Sequence, residues 1–277
     1  MSLNLLLLSC LFYTAAFIVH ALNFSSIQED KRRIAFVFMR IAFLLATLFF
    51  ASEVIIHQLP VPVFAFSQAL TFFAWSLAFV YLVLLVRVQN ESFGLVLNPI
   101  LMILTFTAWV TACLTTPDLS REIPQALVNP YFIIHIVCAF FAYASFTLSF
   151  AAGVLYMIQS RQLKSKRGGA IYQKLPSLEE SERLISQPLL WGAPLLLVAA
   201  AVGMVWSKSA FGSFWILDPK TISTAVISLI YLIILILRFS SLLRGRQVAL
   251  VSMIAFSLVI VSFVGTRFIH GSHNYLQ

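Results

Sequence analysis

Five histidines stand out in a chain that carries little charge: His20, His57, His135, His270 and His273. Imidazole is the side chain best suited to ligating iron, copper or zinc near neutral pH. His270 and His273, three residues apart, share a face if a helix extends that far. Any one histidine near a membrane surface serves as readily as an interfacial hydrogen-bonding group, so position decides between the readings. Other chemistry is thin. Cys10, Cys113 and Cys138 are scattered through apolar runs with no C-x-x-C or C-x-x-C-H spacing. They read as small buried hydrophobes rather than redox or heme-attachment groups. There is no phosphate-cradling glycine loop, no H-E-x-x-H and no Ser/His/Asp arrangement. No residue is therefore assigned as catalytic.

The most unusual string is Trp206-Ser-Lys-Ser-Ala-Phe-Gly-Ser-Phe-Trp215-Ile-Leu-Asp218-Pro219-Lys220. Aromatic and apolar residues dominate it. Two readings stand open on physical grounds. It could be an aromatic belt at headgroup level, or a platform for a flat apolar ligand built from Trp206, Phe211, Gly212, Phe214 and Trp215. Asp218-Pro219 reads as a helix start, with Asp as N-cap and Pro at the first helical position.

The elements that must position these residues are membrane spans. Hydrophobic residues make up 61% of the 277 positions and charged residues only 10%, with a mean hydropathy of +0.96. Such a chain has too little polar surface to coat a soluble globule. In lipid the backbone must satisfy its own hydrogen bonds, and the long continuous apolar runs exclude the alternating pattern of a barrel. Eight runs are long enough: Leu3–Leu22, Ile34–Ile56, Val61–Val86, Leu95–Thr116, Tyr131–Ile158, Leu189–Trp206, Thr221–Leu237 and Val248–Phe268. The sixth is short and carries Pro194 and Gly203. The expectation is an all-α, polytopic membrane helix bundle of about eight transmembrane helices, forming a single membrane domain over residues 1–277. A cytoplasmic linker over 159–188, with a short amphipathic helix at Ser177–Ile185, and an external loop over 206–220 complete it. Leu3–Leu22 lacks a basic n-region and reads as a retained helix rather than a cleaved signal.

Basic residues sort to one side. Lys31, Arg32, Arg33, Arg40, Arg87, Arg161, Lys164, Lys166, Arg167, Lys174, Arg183, Arg238, Arg244 and Arg246 flank odd-numbered connections, whereas Arg121, Lys208, Lys220 and Arg267 flank the others. The positive-inside rule then puts both termini outside. His57, His135, His270, His273 and the Trp206–Lys220 string share the outer face, and His20 lies toward the cytoplasm. The net charge of +8 reads as topology signal beside anionic lipid rather than nucleic-acid binding, since no basic stripe interleaves with aromatics. Glu53, within the second run, is the best feature for a solute transporter. The absence of an evident internal repeat weighs against that class.

The aromatic string resembles the signature of the cytochrome c assembly family of heme-handling membrane proteins, whose branches include CcsA, CcmC-type proteins and HemX. That signature, roughly W-G-x-x-W-x-W-D-P-K-E, lies between two external histidines. Phe211-Gly212-Ser213-Phe214-Trp215-Ile216-Leu217-Asp218-Pro219-Lys220-Thr221 keeps Gly212, Trp215, Asp218, Pro219 and Lys220. Ile134-His135, Ala142-Tyr143-Ala144, Leu175-Pro-Ser-Leu-Glu179, Leu229-Ile-Tyr231 with Arg238, and Gly271-Ser-His273-Asn-Tyr275 accompany it in the family's order.

The resemblance implies a location in the inner (cytoplasmic) membrane and heme b bound in transit on the external aromatic segment, with His135 and His273 as axial iron ligands. It also implies a CcsB-like membrane partner and apocytochrome c as acceptor, the chain being part of a heme-lyase complex rather than a stand-alone catalyst. Lys208, Lys220 and Arg267 would be counter-charges for the propionates. His20 would meet heme on the cytoplasmic side. Departures from the signature point to a second branch. Phe211 and Leu217 replace two of its tryptophans and Thr221 replaces its glutamate, a dilution similar to HemX, which is linked to regulation of glutamyl-tRNA reductase level.

Overall fold

A computed structural model describes residues 2–25, 30–57, 63, 65–85, 92–115, 128–165, 174–214 and 219–268. Among them there are eight helices and no strand: α1 (Ser2–Ser25), α2 (Asp30–His57), α3 (Phe66–Leu85), α4 (Ser92–Leu114), α5 (Pro130–Lys164), α6 (Leu178–Phe211), α7 (Pro219–Phe239) and α8 (Arg246–Phe268). All eight are long and apolar enough to cross a membrane, so the chain is a multi-pass membrane protein of the expected class.

Successive helices run antiparallel, which gives the bundle two ends. Ser9 Oγ donates to the Ala42 carbonyl between α1 and α2, Ser149 Oγ to the Ile185 carbonyl between α5 and α6, and Ser262 Oγ to Ser223 Oγ between α7 and α8. One end gathers the start of α5, the end of α6 and the start of α7. The other gathers the end of α1, the starts of α4 and α6, and the end of α7.

The α5–α6 pair is the most extensive helix pairing among the described residues. Small side chains are buried along both helices: Ala139, Ala142, Ala144, Ser145, Ala151 and Ala152 on α5, and Gly192, Ala193 and Ala199 on α6, while Gly153 of α5 faces Met253 and Ala249 of α8. With no hydrophobic force between helices in lipid, such residues let backbones approach and gain dispersion contacts. At Gly192 a Cβ would lie 2.7 Å from the Phe146 ring and 2.9 Å from Ser145 Cβ, so the approach there requires glycine.

At two boundaries the helices run farther than the apolar runs. The sequence suggested a linker over 159–188 and a loop over 206–220, because each span was taken to end with the bilayer. Instead α5 has 35 residues and α6 has 34, about 50 Å each at 1.5 Å per residue, well beyond a hydrocarbon core of about 30 Å. The turn expected as a separate helix at Ser177–Ile185 is the start of α6. Ser177 caps it by accepting the Glu180 N–H at 3.1 Å, and Glu179 and Glu180 complement the helix dipole. Pro188 and Pro194 lie inside α6 without ending it, as neighbouring helices allow in a membrane bundle. At the far end Trp206–Phe211 are helical. Gly212 is the stop, in the left-handed region at φ 77°, its N–H bonded to the Lys208 carbonyl.

Glu53 is held inside the bundle. Gln68 Nε2 donates to its Oε2 at 3.0 Å, and Gln68 Oε1 accepts the Ala65 N–H at 3.1 Å. The carboxylate is thereby tied to the start of α3, a structural role for the residue that had been the best transporter feature.

Candidate functional site

The site grows from the meeting of α5 and α6 at one end of the bundle. Asn129 starts α5 as its N-cap, its side chain accepting the Tyr131 N–H at 2.9 Å, with Pro130 at the first helical position. Asn129 Nδ2 also donates to Ser209 Oγ at 3.0 Å. One residue thus starts α5 and clamps it to the last turn of α6.

This registration sets His135, just over one turn into α5, against the backbone of α6. His135 Nδ1 lies 2.7 Å from the Ala199 carbonyl oxygen. A carbonyl only accepts, so Nδ1 carries the proton and Nε2 is the lone-pair nitrogen of the neutral ring. That is the second-shell arrangement that fixes tautomer and orientation in a metal-ligating histidine and raises its basicity. The contact depends on Gly203, one turn beyond Ala199: a Cβ there would stand 2.6 Å from His135 Nδ1.

Aromatic rings pack against the imidazole. Trp206 lies nearly parallel to it, with centroids 6.4 Å apart and planes at 12°. Phe132 tilts against Trp206 at 5.1 Å, and Phe211 meets it edge-on at 5.6 Å. Trp206 is 2% exposed, so it is a packed wedge rather than an open platform. Behind it the cluster of Phe72, Phe132, Phe140 and Val63 continues into the bundle. Farther out, Gly212 and Phe214 are exposed. Lys208 Nζ donates to the Gly212 carbonyl at 2.9 Å and sits 5.3 Å from the Phe214 ring centre, a cation beside an aromatic face. Lys220 begins α7 at the same end.

Of the residues singled out in the sequence, the structure gathers His135, Trp206 and Phe211 in one cluster, with Gly212 and Phe214 just beyond it. His20 is not among them. It lies near the end of α1 at the opposite end of the bundle. Trp215, Asp218, His270 and His273, with the side chains of His57 and Arg267, lie outside the described residues. Among the described residues no group of three or more His, Cys, Asp or Glu could hold a metal ion. Iron in a porphyrin asks the protein only for axial ligands, and the oriented His135 imidazole fits that demand, while the exposed Phe214 rather than the buried Trp206 offers an open aromatic face at this end.

Gly203, Ala199, Phe132 and the Asn129–Ser209 clamp were not foreseen. Gly203 had been noted only as an interruption of the sixth run. Its four-residue spacing from Ala199 was readable, but nothing in the sequence said which helix would lie against that face.

Comparisons with known proteins agree with this architecture. The family model described as cytochrome C assembly protein matches residues 63–273. The chain is 24% identical over 258 residues to Protein HemX of Brevibacillus brevis, covering 93% of each chain. It is 28% identical over 260 residues to Protein HemX of Bacillus subtilis, covering 92% of this chain and 89% of the relative. The cytochrome c biogenesis protein CcsA of Porphyra purpurea is 25% identical over 244 residues, covering 75% of this chain and 76% of that one. No solved structure matches.

Proposed function

The chain belongs to the cytochrome c assembly protein family, and from that premise we propose that it binds heme b at the outer face of the inner (cytoplasmic) membrane and presents it for cytochrome c maturation. The observation that carries this reading is the His135 seat. The imidazole is oriented by a backbone carbonyl at 2.7 Å and flanked by Trp206, at the end of α6 that leads into the family's aromatic segment.

In this reading His135 and His273 would hold the heme iron, and Phe211, Gly212, Phe214, Trp215 and Asp218 would belong to the segment that receives the macrocycle. Lys208 and Lys220 are the nearby counter-charges for propionates. Orientation is read from charge. Arg161, Lys164, Lys174, Arg183, Arg238, Arg244 and Arg246 lie toward the end opposite His135, a bias that supports a cytoplasmic position for that end and an external one for the His135 end. His20, at the cytoplasmic end, would meet heme before export. When bound, heme supplies vinyl groups that can bond to apocytochrome thiols. This chain's part would be to hold the iron through His135 and to offer the macrocycle an apolar surface beside it. A CcsB-like membrane partner would complete the synthase.

The experiment is an absorption spectrum of protein purified from heme-replete cells. A low-spin, bis-histidine Soret band is expected, lost in His135→Ala and in His273→Ala. Heme-free protein from such cells would sink the proposal.

A second reading has its own support: a HemX-like regulator of glutamyl-tRNA reductase level. The relatives named HemX pair with about nine-tenths of this chain, and Phe211 and Leu217 stand where the family signature has tryptophan. Deletion of the gene would then change reductase abundance and leave c-type cytochromes intact. Loss of every c-type cytochrome would exclude it.

A further inference from the structure

Away from the His135 end, buried polar groups lie on α1, α3 and α4, and α4 packs against both of the others. Asn98 on α4 is 0% exposed, and neither its carboxamide oxygen nor its nitrogen has a hydrogen-bond partner among the described residues. The same holds for the hydroxyls of Tyr13 on α1 and Tyr81 on α3, both fully buried. Other buried hydroxyls on these helices behave otherwise, Thr71 and Thr105 donating to carbonyls one turn back, although Ser76 on α3 shares the unpartnered state.

Helix register brings the three to one depth. Between antiparallel α1 and α4, Cys10 Sγ approaches the Met102 carbonyl at 3.8 Å, and the His20 ring lies where a Cβ on Gly94 would be, 2.5 Å away. Interpolating between those contacts sets Tyr13 level with Asn98 to within a turn. The short connection between Leu85 and Ser92 sets Tyr81, one turn from the end of α3, level with the first turns of α4. Tyr13 and Tyr81 belong to one packed cluster with Leu97 and Leu101, the neighbours of Asn98 on its own helix.

Orphaned amides and phenols are costly in a hydrocarbon medium, where no solvent substitutes for the missing partner. The chemistry of the cluster selects its guest. Glu53 is the only charged residue buried among the described residues, and it lies near the end of α2 that faces the other way. A carboxylate or ammonium at Asn98 would meet no buried Lys, Arg, Asp or Glu on these three helices to offset its desolvation, the His20 ring at Gly94 being their one histidine among the described residues. A small neutral molecule that both donates and accepts suits two phenols and a carboxamide, and buried water commonly makes about three such bonds.

We propose that Asn98, Tyr13 and Tyr81 enclose a membrane-buried water site between α1, α3 and α4. The proposal is independent of heme binding.

Hydroxyl-radical labelling by X-ray radiolysis of the full chain in lipid nanodiscs, read by peptide mass spectrometry, tests it. Bound water generates radicals in place, so Tyr13 and Tyr81 should be oxidised well above Phe93 and Phe146 after correction for intrinsic reactivity. Phe93 and Phe146 are buried to the same degree. Asn98→Leu should bring Tyr13 and Tyr81 down to the Phe93 level. Should that variant fail to fold, Tyr81→Phe should lower labelling at Tyr13. Tyr13 and Tyr81 as inert as Phe93 in the unaltered protein would overturn the proposal. So would equal labelling of Phe93, which signals general solvent leakage, or undiminished labelling in the folded variants.

Discussion

Two histidines in this bundle are seated in the same way and differ in what surrounds them. His135 on α5 lies against Gly203 of α6, and His20 on α1 lies against Gly94 of α4; in each case a Cβ on the glycine would stand 2.5 to 2.6 Å from the ring. His135 is half-buried, tied to a backbone carbonyl, and close to the end of its bundle. His20 is 1% exposed and meets Phe36 edge-on at 5.4 Å. Beyond it Lys174 Nζ donates to the Asn23 and Phe24 carbonyls at the end of α1, while its own carbonyl accepts Ser92 Oγ. These bonds strap α1 and α4 together. The same local device therefore leaves one imidazole half-buried and oriented by a carbonyl near the bundle end, and the other enclosed between helices. What differs is whether the helix end beside it leads to an open segment or is closed by a strap.

Four substitutions sharpen or break that contrast. Trp206→Ala removes the wedge behind His135 and should cost about 3–5 kcal/mol, read as a large fall in the thermal midpoint in detergent. A midpoint that barely moves would mean Trp206 is not the packed support described. Gly203→Ala should leave stability almost unchanged, because the half-buried ring can swing aside and alanine adds about 1 kcal/mol of helix propensity. Heme affinity should instead drop about 10–100-fold, as when a second-shell partner is lost, measured by heme titration. Gly94→Ala has no such escape: the sealed ring should yield at a cost of about 1–3 kcal/mol from overpacking, partly offset by propensity, with His135-dependent heme binding retained. If Gly94→Ala is silent and Gly203→Ala unfolds the protein, the accessible and sealed seats are assigned the wrong way round. The smallest effect belongs to Asn129→Ala. Losing the N-cap should cost about 1 kcal/mol and loosen the Ser209 clamp, seen as a modest midpoint shift with a nearly unchanged heme spectrum.

Sequence alone determined the class of this protein and most of its spans. Composition dictates the solvent, and a backbone in lipid has few ways to satisfy itself, so eight apolar runs become eight helices, all but the sixth starting within about five residues of the run. The family was legible as well, because its aromatic signature and histidines lie in a linear order that folding does not rearrange. What a span-length reading misses is how far a helix continues past the bilayer. Nothing in the local sequence stops α6 at Trp206 when Gly212 is the first residue suited to the left-handed stop. Only the tertiary structure decided that Trp206 is buried rather than displayed, and that His135 is oriented by Ala199 and seated on Gly203. The physical reason is that these depend on which faces of distant helices meet. A glycine in a hydrophobic run looks like an interruption until another helix is laid against it, and there its missing side chain makes room for an imidazole.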